Sequence, residues 1–259
     1  MYKLGLKVWS TNENYIKEAK RLYDNGIYNY VELYVIPGSY NSCINLWVDI
    51  EIPYIIHAPH WRDGMNLADK DSKGKNLALI EEAQNFADKL NANKIILHPG
   101  IAGDIKETAR QLKTINDERV LIENKPYKAL DEGLICNGTT PEEIAFVMRE
   151  ARVGFCLDIG HAICSANSHK IEYIEYLKKF ILLGPYMYHL TDGDVNSDYD
   201  SHLHFGQGNY DLKGILALLP GDSVITVESE KSNSDRLEDY IKDIEAIKSI
   251  VQRFRAVSE

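Results

Sequence analysis

Short uninterrupted apolar runs recur along this chain, and between them apolar residues return every three or four positions. The first pattern reads as buried strands and the second as amphipathic helices. The strand-like runs are Leu4–Trp9, Tyr30–Val35, Tyr54–His57, Lys94–His98, Val120–Asn124, Val153–Asp158, Tyr186–Leu190 and Ser223–Glu228. Helix-like runs cover about Asn14–Tyr23, Gly74–Leu90, Asp104–Thr114, Thr140–Ala151 and Lys170–Phe180, with a further run before the last strand. A final helix is expected over Asp235–Val251, with Leu237, Ile241, Ile244 and Ile247 on one face. Asn25–Gly26, Pro37–Gly38 and Pro99–Gly100 punctuate the series, and Thr140–Pro141–Glu142–Glu143 has the form of a helix start. Strict alternation of strand and helix predicts a parallel sheet. Eight such units in 259 residues predict a single closed (β/α)8 TIM barrel over residues 1–259, since that architecture takes roughly 250 residues.

Chemistry in such barrels sits at the C-terminal ends of the strands. This chain places His57, His98, Glu123, Asp158, His161, His189 and Glu228 at or just past those ends. The loop after the seventh strand adds Asp200 and His202, whose i, i+2 spacing puts both side chains on one face of an extended chain. Taken singly, each has an ordinary explanation: a strand-end histidine is commonly structural, and Glu32 reads as the partner of a nearby cation. Collectively they do not, because crowded carboxylates repel and take up protons unless cations hold them. A divalent metal resolves that cost. Mixed imidazole and carboxylate ligation suits zinc, with manganese or iron also open.

Composition narrows the setting. The net charge of −10 disfavours nonspecific adhesion to nucleic acid, which is mostly the work of Lys and Arg. Cys43, Cys136, Cys156 and Cys164 form no CxxC pair, so buried reduced thiols are expected. No signal-peptide layout and no membrane-length apolar run is present, so a cytoplasmic protein without membrane contact is expected. Gly206–Gln207–Gly208 lacks the context of a phosphate loop.

The ordered runs Ile56–His57–Ala58–Pro59–His60, Leu97–His98–Pro99–Gly100, Ile122–Glu123–Asn124, Leu157–Asp158–Ile159–Gly160–His161, His189–Leu190–Thr191–Asp192, Asp200–Ser201–His202 and Val227–Glu228 resemble the xylose isomerase-like TIM barrel superfamily. Their ligand pattern is most similar to its endonuclease IV (AP endonuclease family 2) branch. The resemblance implies up to three zinc ions. His57, His98 and Glu123 would hold the first; Glu123, Asp158, His189 and Glu228 the second; His161, Asp200 and His202 the third. It also implies a phosphoesterase in which a metal-bound hydroxide attacks phosphorus. The loop after strand two, Ile36–Asn41, carries no arginine or lysine, and Trp61 is the only aromatic wedge close behind His57. A small phosphorylated or sugar substrate is therefore expected, with DNA still open. The run Val31–Glu32–Leu33 resembles the sugar isomerase and epimerase branch instead. There Glu123 and Glu228 would act as an acid/base pair about one metal, and His161 would touch a substrate hydroxyl. Trp9, Trp61, Arg62 and Lys125 are candidates for the substrate wall in either case.

Overall fold

The computed structural model describes residues 2–131, 133–233 and 235–258, with the backbone alone for 253–258. Among these residues the eight strands are β1 (Lys3–Trp9), β2 (Tyr30–Tyr34), β3 (Tyr54–His57), β4 (Ile95–Leu97), β5 (Val120–Glu123), β6 (Gly154–Asp158), β7 (Met187–Leu190) and β8 (Val224–Val227). All pair in parallel in sequence order, and β1 closes on β8 with Leu4 opposite Ile225. The expected (β/α)8 barrel is therefore present. Several strands end one residue short of their apolar runs, although the ladder continues past β2 through Val35 N–H to His57 O at 2.9 Å.

Among the described residues nine α-helices lie between and after the strands: α1 (Ile16–Asp24), α2 (Tyr40–Val48), α3 (Lys73–Lys89), α4 (Ile105–Leu112), α5 (Pro141–Ala151), α6 (Ile159–His169), α7 (Tyr173–Ile181), α8 (Leu212–Leu218) and α9 (Glu238–Ser258). Two of them escape the periodicity reading. In α6 every residue from Ile159 to Ala166 is buried, so no polar face exists to create a period. The expected helix at Lys170–Phe180 is instead α7; Lys170 lies at φ 56° and caps α6. α2 packs Cys43, Ile44 and Trp47 inward from a stretch masked by the Pro37–Gly38 break. The last helix starts at Glu238 rather than Asp235.

Strand periodicity organises the barrel interior. Tyr30, Ile55, Ile96, Leu121, Cys156 and Met187, one from each of β2 to β7, form an apolar cluster separate from the larger core under the helices. Two residues further along each strand lie Glu32, His57, His98, Glu123, Asp158 and His189. A step of two keeps the side chain on the same face. The polar layer therefore sits directly above an apolar floor. Gly5 makes room for that floor: a Cβ there would come 2.3 Å from the Tyr30 ring. All four cysteines are free and buried.

Candidate metal centre

Each polar side chain arrives on rigid backbone. His57, Glu123 and Asp158 are the last residues of β3, β5 and β6, His189 lies within β7, and His98 and Glu228 directly follow β4 and β8. Asp158 also caps α6: its Oδ1 accepts from His161 N–H at 2.7 Å. Asn124 fixes the same aspartate from both sides, accepting from Asp158 N–H at 2.8 Å and donating to Asp158 O at 2.9 Å. Gly160 lets the β7 loop close in, since a Cβ there would meet Asp200 Oδ1 at 3.2 Å. That loop is held from beneath by the buried carboxylate of Asp192, which accepts from the amides of Gly193, Gly206, Gly208 and Tyr210.

The expected ligand residues converge. Ligand atoms of His57, His98 and Glu123 lie within 4.8 Å of one another, as do those of His161, Asp200 and His202. Between these sets, His189 Nδ1 stands 2.6 Å from Glu228 Oε1, 3.4 Å from Glu123 Oε2 and 3.8 Å from Asp158 Oδ2. Cys156 lies beside Glu123 and His189 as well, but burial pushes its thiol up to about 12, so it stays protonated.

Two features of this arrangement fit divalent cations. First, the histidines are oriented by their far nitrogens. His57 Nδ1–H donates to Ala58 O at 2.7 Å, His161 Nδ1–H to Asn124 O at 2.9 Å, and His189 Nε2–H to Glu32 Oε2 at 2.9 Å. Each bond leaves the other ring nitrogen with its lone pair, as metal-binding imidazoles require. Second, His98 Nε2, His189 Nδ1, Asp200 Oδ2 and His202 Nδ1 are buried without an aligned hydrogen-bond partner. Donor atoms that approach closely without pointing at one another are in position to share a cation.

The electrostatics carry the same strain. Burial opposes ionisation of Glu123, but the imidazoles of His98 and His189 outweigh it and hold the carboxyl well below the usual range. Glu228 is likewise driven down, against burial, by His189 and Lys7. Burial pushes Asp158 up to about 6, with His161 opposing. Burial drives His98 well below an ordinary imidazole.

Lys7 and Glu32 complete the centre and are not evident from strand-end reasoning, because both lie inside strands. Lys7 Nζ is 2.5 Å from Glu228 Oε1 and 3.2 Å from Glu32 Oε1. Glu32 therefore does pair with a cation, as expected for it, yet also orients His189 and accepts from Thr226 Oγ1 at 2.7 Å. Of the expected wall residues, Lys125 reaches the centre, with Nζ 3.3 Å from His161 Nε2. Trp61 and Arg62 lie in a 3₁₀ turn, Trp61–Asp63; Arg62 Nε is 3.9 Å from Asp131. Trp9 is 55% exposed at the end of β1. His60 stacks on His98, their rings 5.8 Å apart, and burial beside Lys125 lowers it to about 3.

A sequence model of the xylose isomerase-like TIM barrel family matches residues 36–250. The chain belongs to this family. An apurinic-apyrimidinic endonuclease of Caenorhabditis elegans is 29% identical over 175 residues, which is 60% of this chain and 43% of that protein. Among solved structures, a D-tagatose 3-epimerase-like protein superposes with a TM-score of 0.74 at 19% identity, covering 99% of this chain and 100% of that one. Endonuclease IV from Thermus thermophilus superposes with a TM-score of 0.70 at 17% identity, covering 97% and 99%. A nuclease and an epimerase-like protein thus share this barrel fold. Among the described residues no helix is long and apolar enough to cross a membrane.

Proposed function

We propose that this protein is a metal-dependent phosphoesterase acting on a small phosphate ester. The observation that carries this reading is the pair of outer ligand sets, His57–His98–Glu123 and His161–Asp200–His202, which flank the central group around His189. A single-metal enzyme would need only the central group. Divalent cations held in these sets, zinc best matching the donors, would neutralise phosphate charge and acidify water.

The side chains would do the rest. Glu123 belongs to both the first and the central sets and would hold them at fixed separation. Glu228 has one oxygen held by Lys7 and His189, and its other oxygen would stay ionised and orient the attacking water by accepting its hydrogen bond. Lys125, beside His161, would meet a phosphate oxygen. Trp61, Trp9 and Arg62 would border the mouth. His60 is neutral and accepts Arg62 N–H at its Nδ1, 3.1 Å away, so its Nε2 carries the proton and would donate to an ester oxygen. A small ester is favoured over DNA because the β2 loop, Ile36–Asn41, has no cation and the chain carries a net charge of −10.

One observation favours a second reading, a metal-dependent isomerase or epimerase of a sugar or sugar phosphate. Glu123 and Glu228 both approach His189 Nδ1, at 3.4 and 2.6 Å, as an acid/base pair about one cation would. Elemental analysis separates the two: near three zinc per chain supports the phosphoesterase, and a single ion supports the isomerase. Incubation with phosphate esters, abasic duplex DNA, and a panel of sugars and sugar phosphates then reads the reaction directly. Isomerised sugar without released phosphate would overturn the first reading.

A further inference from the structure

The cations around the barrel mouth are not equivalent. Lys7 is engaged by Glu228 and Glu32, and Lys128 Nζ lies 2.5 Å from Asp198. Lys231, three residues past Glu228, is different. Its Nζ donates to the carbonyl oxygen of Ser229 at 2.8 Å, and among the described residues no carboxylate lies within ion-pair distance of it. Ser229 itself is anchored, its Oγ donating to the buried Asp243 at 2.5 Å. The backbone that carries the lysine is therefore fixed, and the ammonium is folded back toward the β8 side of the centre instead of extending into solvent.

We propose that Lys231 forms an anion-binding subsite at the β8 rim, and that the ester this enzyme hydrolyses is a small molecule with a second acidic group. This rests on the phosphoesterase reading of the neighbouring centre. Cations held by the three ligand sets would already supply the positive charge that one phosphate requires. An ammonium at the β8 edge of the centre, partly buried and, among the described residues, without a carboxylate close enough to form an ion pair, fits an acidic group elsewhere on the same molecule. Burial lowers the pKa of Lys231 to about 8, offset in part by Glu228, which is the cost of keeping such a group unpaired. A bound carboxylate or phosphate removes that cost by a charge-assisted hydrogen bond.

The test uses two probes that differ in one group. Glycerol 3-phosphate and 3-phosphoglycerate share the phosphate ester, and the second has a carboxylate where the first has a hydroxymethyl group. Their affinities for the zinc-loaded protein are compared by calorimetry at pH 7. The acid is expected to bind about tenfold more tightly. That ratio should fall to near one in Lys231→Gln and be largely kept in Lys231→Arg, with circular dichroism verifying the fold of both. A ratio near one in the wild type, or a ratio that survives in Lys231→Gln, overturns the subsite. Phosphate release from the same probes is scored separately. A preserved binding ratio without hydrolysis would count against the reaction and leave the subsite standing.

Discussion

Glu32 Oε2 lies 2.9 Å from His189 Nε2, and this contact decides which nitrogen of the histidine faces the centre. With its proton on Nε2, the ring turns Nδ1 toward Glu228, Glu123 and Asp158. Carboxylates in this supporting position typically contribute roughly 10- to 100-fold to metal affinity. Glu32→Gln should therefore weaken binding at the central group by about that factor, while the outer sets keep theirs. Competition with a zinc chelator reads the sites in order of affinity. Uniform loss across all sites would mean that Glu32 acts on the fold and not on His189.

Glu123 should behave differently, because four histidines approach it: His57 at 3.2 Å, His98 at 3.1 Å, His161 at 3.1 Å and His189 at 3.4 Å. Glu123→Ala removes the shared carboxylate from two sets at once. Activity should disappear and metal content should fall together, as measured by elemental analysis after gel filtration. Retention of full metal content would refute the shared role.

Asp243 links three elements from within α9. Its carboxylate accepts from His204 Nδ1 at 2.8 Å, Phe205 N–H at 2.9 Å and Ser229 Oγ at 2.5 Å. The first two belong to the loop that carries Asp200 and His202. Asp243→Ala leaves buried donors unpaired and should destabilise the protein by on the order of 3 kcal/mol. It should also cost the His161–Asp200–His202 set its affinity selectively. Equal loss at the His57–His98–Glu123 set would reduce Asp243 to a general structural residue.

Nearly all of the barrel, and every strand-end ligand candidate, is legible in the sequence because one rule covers both. Buried parallel strands are apolar runs, and their C-terminal ends open into the mouth. Lys7, Glu32 and Lys231 are not legible in this way. Lys7 and Glu32 interrupt apolar strands without marking an end, and only the closed barrel shows that they face one another across β1 and β2, opposite in register. Lys231 lies in a polar loop where a lysine is unremarkable until its lack of a carboxylate partner is seen. Helix α6 is hidden for the opposite reason, being buried on every side along its first eight residues, Ile159 to Ala166.

The unpaired Lys231 has a consequence for stability. Its pKa of about 8 in the folded protein lies below the ordinary lysine value of about 10.4. Glu228, Glu32 and Asp243 favour its charge while Lys7 opposes it, and burial outweighs them. Between these two pH values the unfolded chain binds more protons than the folded one, so this group's contribution to stability rises with pH across that window. Below pH 8 its full cost is present. Lys231→Met should therefore stabilise the ligand-free protein at pH 7, by on the order of 1 kcal/mol after solvent screening. The advantage should shrink as pH rises from about 8 toward about 10. Thermal melts across this range measure it. Adding 3-phosphoglycerate to the zinc-loaded proteins should also narrow the gap at pH 7, because a ligand held by the ammonium as well as by the centre stabilises the wild type more than the variant. If the methionine variant is instead less stable at every pH, Lys231 is packed to support the fold, and the strain attributed to its unpaired charge is absent.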